Sequence, residues 1–231
     1  MTAPKKRKVA VFDVDGTIFR SSLLIQVVDQ MIRDGIFPED IQKEYAKEYE
    51  RWLDREGHYE SYIQGVVQAF NKHLVGVHYS AFADASKKVV AAQWKRTYRY
   101  PRALIKDLKD RGYFLLAISH SPKTILDKFC PRLGFDKVYG LLYEIDEDEK
   151  FTGNIIEEQA LDKAYLIRRA VDKESLMLTN SIGVGDSESD IPFLEIVAKP
   201  ICFNPNAKLY AHAKKERWKV VIERKDVIYE I

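Results

Sequence analysis

Apolar and polar positions follow two different rhythms along this chain. Residues 9–12, Val-Ala-Val-Phe, run without a polar break, the pattern of a parallel strand covered on both faces. From about residue 21 to 97 the spacing becomes helical. Tyr45, Tyr49 and Trp52 fall at i, i+4 and i+7; Tyr59, Ile63, Val66 and Phe70 repeat the pattern, and Phe82 and Val89 mark a further helix. Gly35-Ile36-Phe37-Pro38, Gly57 and Gly76 separate these helices, and no strand is expected among them. After Pro101 helices and strands alternate. A helix near 101–111 stops at Gly112, and the strand Tyr-Phe-Leu-Leu-Ala-Ile-Ser follows. Ser121-Pro122 then reads as an N-cap with proline in the first turn of a helix running towards Gly134. Residues 136–156 read as strands around the acidic, solvated turn Glu-Ile-Asp-Glu-Asp-Glu-Lys. Another helix starts near Leu161, with Ala164, Ile167 and Val171 on its face. Strands are expected at Ser-Ile-Gly-Val-Gly-Asp (181–186), Pro-Ile-Cys-Phe (200–203) and Trp-Lys-Val-Val-Ile-Glu (218–223). Such alternation predicts an α/β fold, a mostly parallel sheet with helices on both sides.

Composition adds mainly exclusions. With 231 residues, 46% hydrophobic and 31% charged, the chain has the make-up of an ordinary globular protein. The formal charge of +2 owes much to the run Lys5, Lys6, Arg7, Lys8, so no concentrated basic face remains and no nucleic-acid partner is expected. Residues 4–9, Pro-Lys-Lys-Arg-Lys-Val, resemble a nuclear-import signal; the simpler reading is a solvated tail leading into the first strand. No stretch approaches the roughly 18 apolar residues of a membrane span, and no apolar signal region opens the chain. Cys130 and Cys202 lack metal-type spacing and read as reduced thiols of a cytoplasmic protein. Nothing specifies an oligomeric state.

The chemistry sits at strand ends. Asp13 and Asp15, two apart, project from one side of the first strand, and two close carboxylates repel unless a cation or shared proton intervenes. The strands ending in Ser119 and Asp186 deliver further polar groups to the carboxyl edge where open α/β sheets bind ligands. Oxygen-only chemistry without His or Cys favours a hard cation such as Mg²⁺. Lys163, in the first turn of a helix, opposes the dipole there and makes better sense facing an anion. Each residue also has a bland reading: Asp13 and Asp15 as a turn pair, Ser119 and Ser121 as helix caps, His120 as a loop residue. Lys163 could be a surface lysine, Asp190 an N-cap, and Gly183 and Gly185 aids to strand packing.

Asp-Val-Asp-Gly-Thr at 13–17, Ser119, Lys163 and Gly-Asp-Ser-Glu-Ser-Asp at 185–190 resemble, in order, the four motifs of the haloacid dehalogenase superfamily. Cys-Phe-Asn-Pro-Asn-Ala-Lys-Leu at 202–209, and an insert directly after the first motif, resemble its phosphoserine-phosphatase-like branch. The resemblance implies a Rossmann-like core from 1–20 and 98–231, with an all-helical cap at 21–97. It implies Asp13 as nucleophile, Asp15 as acid and base, and Mg²⁺ held by Asp13, the Asp15 carbonyl and Asp186. Ser119 and Lys163 would bind phosphate together with Gly16, Thr17 and His120, and Asp190 would orient the metal's surroundings. The cap's aromatic stripes read as packing, with Tyr59 or Tyr62 the candidates to face a small phosphomonoester substrate. Phosphoserine-specific relatives carry a glutamate shortly after the first motif; here Arg20, Ser21 and Ser22 stand in that stretch, against phosphoserine itself. The alternatives are a phospho-acceptor regulatory domain and a catalytically idle binding protein.

Overall fold

The computed structural model describes residues 6–156 and 162–231, which form two compact units. Leu161 and the start of the basic string, Pro4 and Lys5, lie outside the described residues. The first unit takes in Met1–Ser22, Trp94–Leu141 and Glu157–Ile231; the second takes in Leu23–Gln93 and Leu142–Ile156.

In the first unit, β1 (Arg7–Phe12) lies between β2 (Phe114–Pro122) and β5 (Leu176–Gly185), parallel to both. The sheet continues outward from β2 to β3 (Lys137–Ile145), and from β5 through β6 (Lys199–Phe203) to β7 (Lys219–Arg224), again in parallel. An antiparallel hairpin to β8 (Val227–Glu230) closes that edge. Strand order reverses at β1, so a crevice opens at the carboxyl ends of β1, β2 and β5.

Val9, Ala10, Val11 and Phe12 are fully buried, as a central strand covered on both faces requires. Val9 and Val11 join Leu116, Ile118, Ile167, Phe193 and Leu209 in one core. That core is supplied by α7 (Lys163–Lys173), α8 (Ile191–Leu194) and α9 (Ala207–Glu216). Phe12 points to the other face and meets Phe135 edge-on at 5.8 Å. There α5 (Arg99–Asp110) and α6 (Lys123–Phe129) bury Ile105, Leu108, Ile125 and Phe129. Neither α9 nor β8 was expected from hydrophobic spacing. The signal for α9 is its cap: the Asn206 side chain accepts the Leu209 N–H at 2.9 Å.

One expectation is corrected at β2. Ser121-Pro122 does not cap a helix: β2 extends to Pro122, which pairs with Leu141 beyond a register shift, and α6 begins without a side-chain cap. The Ser121 hydroxyl is held elsewhere, as the site shows.

In the second unit, α1 (Leu23–Arg33), a 3₁₀ turn (Glu39–Glu44), α2 (Ala46–Leu53), α3 (Tyr59–Leu74) and α4 (Tyr79–Gln93) are joined by the antiparallel pairing of Leu142–Ile145 with β4 (Phe151–Ile156). A helix-only unit over 21–97 thus differs from the compact unit found. The reason is aromatic packing: Phe82 lies 5.5 Å from Phe151 and Phe70 5.7 Å from Tyr143, both edge-on. Without the hairpin those helical rings would face water. The buried face of α3 is set by Tyr62, Val66, Ala69 and Phe70, with Tyr59 left exposed. No helix among the described residues is long and apolar enough to cross a membrane.

Gly183 of β5 lets α8 approach the sheet: an added methyl would come within 2.8 Å of Val197 Cγ2 and 3.1 Å of Leu194 Cδ2. Gly183→Ala is therefore expected to cost about 1–3 kcal/mol, read as a lower urea midpoint at unchanged m. An unshifted midpoint would mean that α8 is free to retreat.

Candidate active site

Asp13 follows β1 directly, its N–H donating to the Val184 carbonyl at 2.9 Å. It is buried, whereas Asp15 keeps partial access and Val14 turns fully into the interior. Gly16 then reverses the chain with φ 78°, where a side chain would be strained and a methyl would collide with the Asp186 carboxylate. The Gly16 N–H is taken up by the turn itself, donating to the carbonyls of Phe19 and Ser21 at 3.0 Å. Thr17 is buried and its hydroxyl donates to Asp186 Oδ1 at 3.1 Å.

Lys163 opens α7, and the Asp162 side chain caps that helix by accepting the Tyr165 N–H at 3.0 Å. The lysine is buried, which a bare ammonium would not tolerate. Its Nζ donates to Asp13 Oδ1 and to Asp190 Oδ1, each at 2.6 Å. Burial alone would lower the Lys163 pKa, but the two carboxylates outweigh it and hold the group cationic. Asp190 has neither oxygen to spare. Oδ1 takes Lys163, while Oδ2 accepts the N–H groups of Asp186 at 2.9 Å and Ser187 at 3.1 Å. It thereby closes a capping box with Ser187 from the N3 position of the 3₁₀ turn Glu188–Asp190; it also stands at the N-cap of α8, where its side chain makes no cap hydrogen bond.

One ammonium does not balance this cluster. Carboxylate oxygens of Asp13, Asp186 and Asp190 lie within 4.8 Å of one another. Burial, only partly offset by Lys163, pushes Asp13 up to about 7, with Asp190 and Asp15 adding to the shift. Asp186 keeps some access to solvent, yet protein surrounds it closely enough that burial is the first cause raising its pKa well above the usual carboxylate range. The charges of Asp13 and Asp190 follow. Three carboxylates against one ammonium leave a deficit of two positive charges, and every donor is oxygen. The residues fit a hard divalent cation, with Asp13 and Asp186 the side chains able to hold it.

Asp15 has different company. Its Oδ2 accepts the hydroxyls of Ser119 at 2.8 Å and Ser121 at 2.7 Å, and the Ser121 N–H donates to Ser119 Oγ at 2.9 Å. Sequence reasoning missed Ser121. The signal was available: Ser-x-Ser on β2 has the same two-residue spacing as Asp-x-Asp after β1, so both hydroxyls face one side. His120, between them, is exposed.

Two aspartates in such different surroundings, at the reversal point of a parallel sheet, fit the site of a hydrolase. Residues 10–195 match the model of the haloacid dehalogenase-like hydrolases, and the chain belongs to that family. It is 26% identical over 232 residues to a histidinol-phosphatase of Neisseria meningitidis serogroup C (strain 8013), covering 93% of this chain and 98% of that one. It is 25% identical over 229 residues to a phosphoserine phosphatase of Methanocaldococcus jannaschii, covering 96% and 95%. A solved phospho-aspartyl intermediate analogue of phosphoserine phosphatase shares the fold with a TM-score of 0.64 at 21% identity, covering 96% of each chain.

The charge deficit makes two measurable demands on the cation-free protein. The folded-state pKa of Asp13 lies above its ordinary value, so its contribution to stability is complete below about pH 4 and is lost as pH rises through about 7. Melting in EDTA should fall across that window, and a divalent cation should restore it. Asp186→Asn should raise stability in EDTA by about 1 kcal/mol and abolish the rise on adding cation. A variant that melts lower in EDTA and still responds to cation would refute the deficit.

Proposed function

We propose that this protein is a Mg²⁺-dependent phosphomonoesterase for small metabolites, acting through a phosphoryl group carried on Asp13. The observation that carries the reading is the contrast between the aspartates: Asp13 paired with Lys163, and Asp15 held by two serine hydroxyls. An Asp13 oxygen attacks phosphorus, and the bond from phosphorus to the ester oxygen breaks as Asp15 gives that oxygen its proton. Asp15, now ionised, takes a proton from water. The water oxygen bonds to phosphorus, the Asp13–phosphorus bond breaks, and inorganic phosphate leaves. Ser119 and Lys163 are assigned to the phosphoryl oxygens, where a donor and a cation stabilise growing charge. Gly16 gives room at the turn, Thr17 acts by orienting Asp186, and His120 is assigned to the rim. Bound Mg²⁺, held by Asp13, Asp186 and the Asp15 carbonyl, would shield the attacking carboxylate from the phosphate's charge. Asp190 fixes Lys163 and the Asp186 backbone.

The inserted unit is assigned the part of a cap that selects substrates. A histidinol-phosphatase matching nearly end to end makes histidinol phosphate the first substrate to test. The absence of an acid at 20–22 ranks phosphoserine behind it. Both cysteines are free and buried, which suits a reducing compartment, and we place the protein in the cytoplasm.

Phosphate release from histidinol phosphate, phosphoserine and p-nitrophenyl phosphate, with Mg²⁺ or EDTA, tests the reading. Turnover should require Mg²⁺ and fall by about a thousandfold or more in Asp13→Asn; a variant that still turns over would remove Asp13 as nucleophile. Ser121→Ala should slow alkyl esters by about tenfold or more, because their leaving groups need the proton from Asp15, and leave the aryl ester nearly unchanged. Equal losses on both esters would deny Ser121 a part in placing Asp15.

A further inference from the structure

The second unit holds a pocket that the catalytic reading does not use. Its volume is about 380 Å³, and Asp29 of α1, Gln42 and Lys43 of the 3₁₀ turn, Tyr45 and Tyr49 near and within α2, and Tyr62 of α3 line it. That size suits a small organic molecule. Tyr45 and Tyr62 are buried, with ring centroids 5.9 Å apart, and the more exposed Tyr49 lies 5.0 Å from Tyr62.

The pocket wall carries one half-buried carboxylate, Asp29, and one exposed ammonium, Lys43. Asp29 is half-buried and accepts one long hydrogen bond from Gln42 Nε2 at 3.4 Å; it has no salt bridge among the described residues. Burial raises its pKa, with Arg33 and Gln42 opposing. Burial first, and the Asp29 charge next, raise both Tyr45 and Tyr62, the latter to about 12, so the rings stay neutral at physiological pH. Neutral aromatic rings present a negative face, and a cation within reach of several such faces and a carboxylate is attracted by all of them. Lys43 does not satisfy this demand. It is exposed and makes no salt bridge with Asp29. A divalent metal ion is a poor match, because one carboxylate among neutral hydroxyls is too few strong oxygen donors for the space. An anion would be repelled by half-buried Asp29, a charge that Lys43, exposed to solvent, offsets only weakly.

We propose that the second unit binds an organic monocation, the ammonium group of an amine or a quaternary amine, between Asp29 and the rings of Tyr45, Tyr49 and Tyr62. The site is independent of the phosphatase reading, and its test involves no turnover. Isothermal titration calorimetry on the full chain would compare choline with 3,3-dimethylbutan-1-ol, its neutral isostere. Choline should saturate in the millimolar range and the isostere should bind about tenfold more weakly or worse. Asp29→Asn, which keeps the shape and removes the charge, should weaken choline about tenfold. Tyr49→Leu, at an exposed position, should also weaken it while the thermal melt stays in place. Equal affinity for the isostere, choline binding indifferent to Asp29→Asn, or no saturation by choline would each overturn the proposal.

Discussion

The carboxyl end of the sheet is built around a shortage of positive charge. Asp13, Asp186 and Asp190 converge where, among the described residues, one buried ammonium, that of Lys163, pairs with Asp13 and Asp190. Burying charge costs several kcal/mol per ion unless partners compensate, so the surroundings are tightly specified. The first turn of α7 must present a lysine against its own dipole, two consecutive amides must turn onto Asp190, and Gly16 must leave room for Asp186. Neutralising one of the carboxylates would relieve the crowding and favour the fold, whereas loss of these compensations would cost it, a common opposition between stability and activity.

The same crevice separates two chemically identical side chains. Asp13 lies deep, against a cation and two other carboxylates; Asp15, two residues later, lies nearer solvent and accepts hydroxyl groups on one oxygen. The separation comes from strand geometry, which brings both to one side, and from the sharp turn that follows. A carboxylate dyad needs different environments to hold different protonation roles, and here β2 and α7 supply them.

Much of this could be read from the residues. The unbroken run at 9–12 does become the central strand, and the three strand ends do meet, because parallel sheets align the carboxyl ends of their strands. What local pattern could not show was decided by partners distant in sequence. Ser121 before Pro122 looks like a helix cap, and only Asp15, 106 residues earlier, reveals its other use. Asp190 does stand at the N-cap of α8, yet its carboxylate is taken by Lys163 and by the capping box of the preceding turn. Aromatic spacing in the helices marked a buried face yet could not separate Tyr62, inside, from Tyr59, outside, since residues three apart on a helix share a side. Nor could it show that residues 142–156 would join helices that end at Gln93.

That last feature bears on how such a protein can diversify. The second unit is assembled from two separated stretches of chain, and Phe151 and Tyr143 close a core begun by Phe70 and Phe82. Replacing residues 23–93 with the matching segment of a relative would pair a new set of rings with an old hairpin. A recombinant would therefore need two coordinated splices, or compensating changes at Tyr143 and Phe151. Inheritance of this unit is tied to a hairpin that begins at Leu142, well beyond Gln93, and exchange of the helices alone leaves its core mismatched.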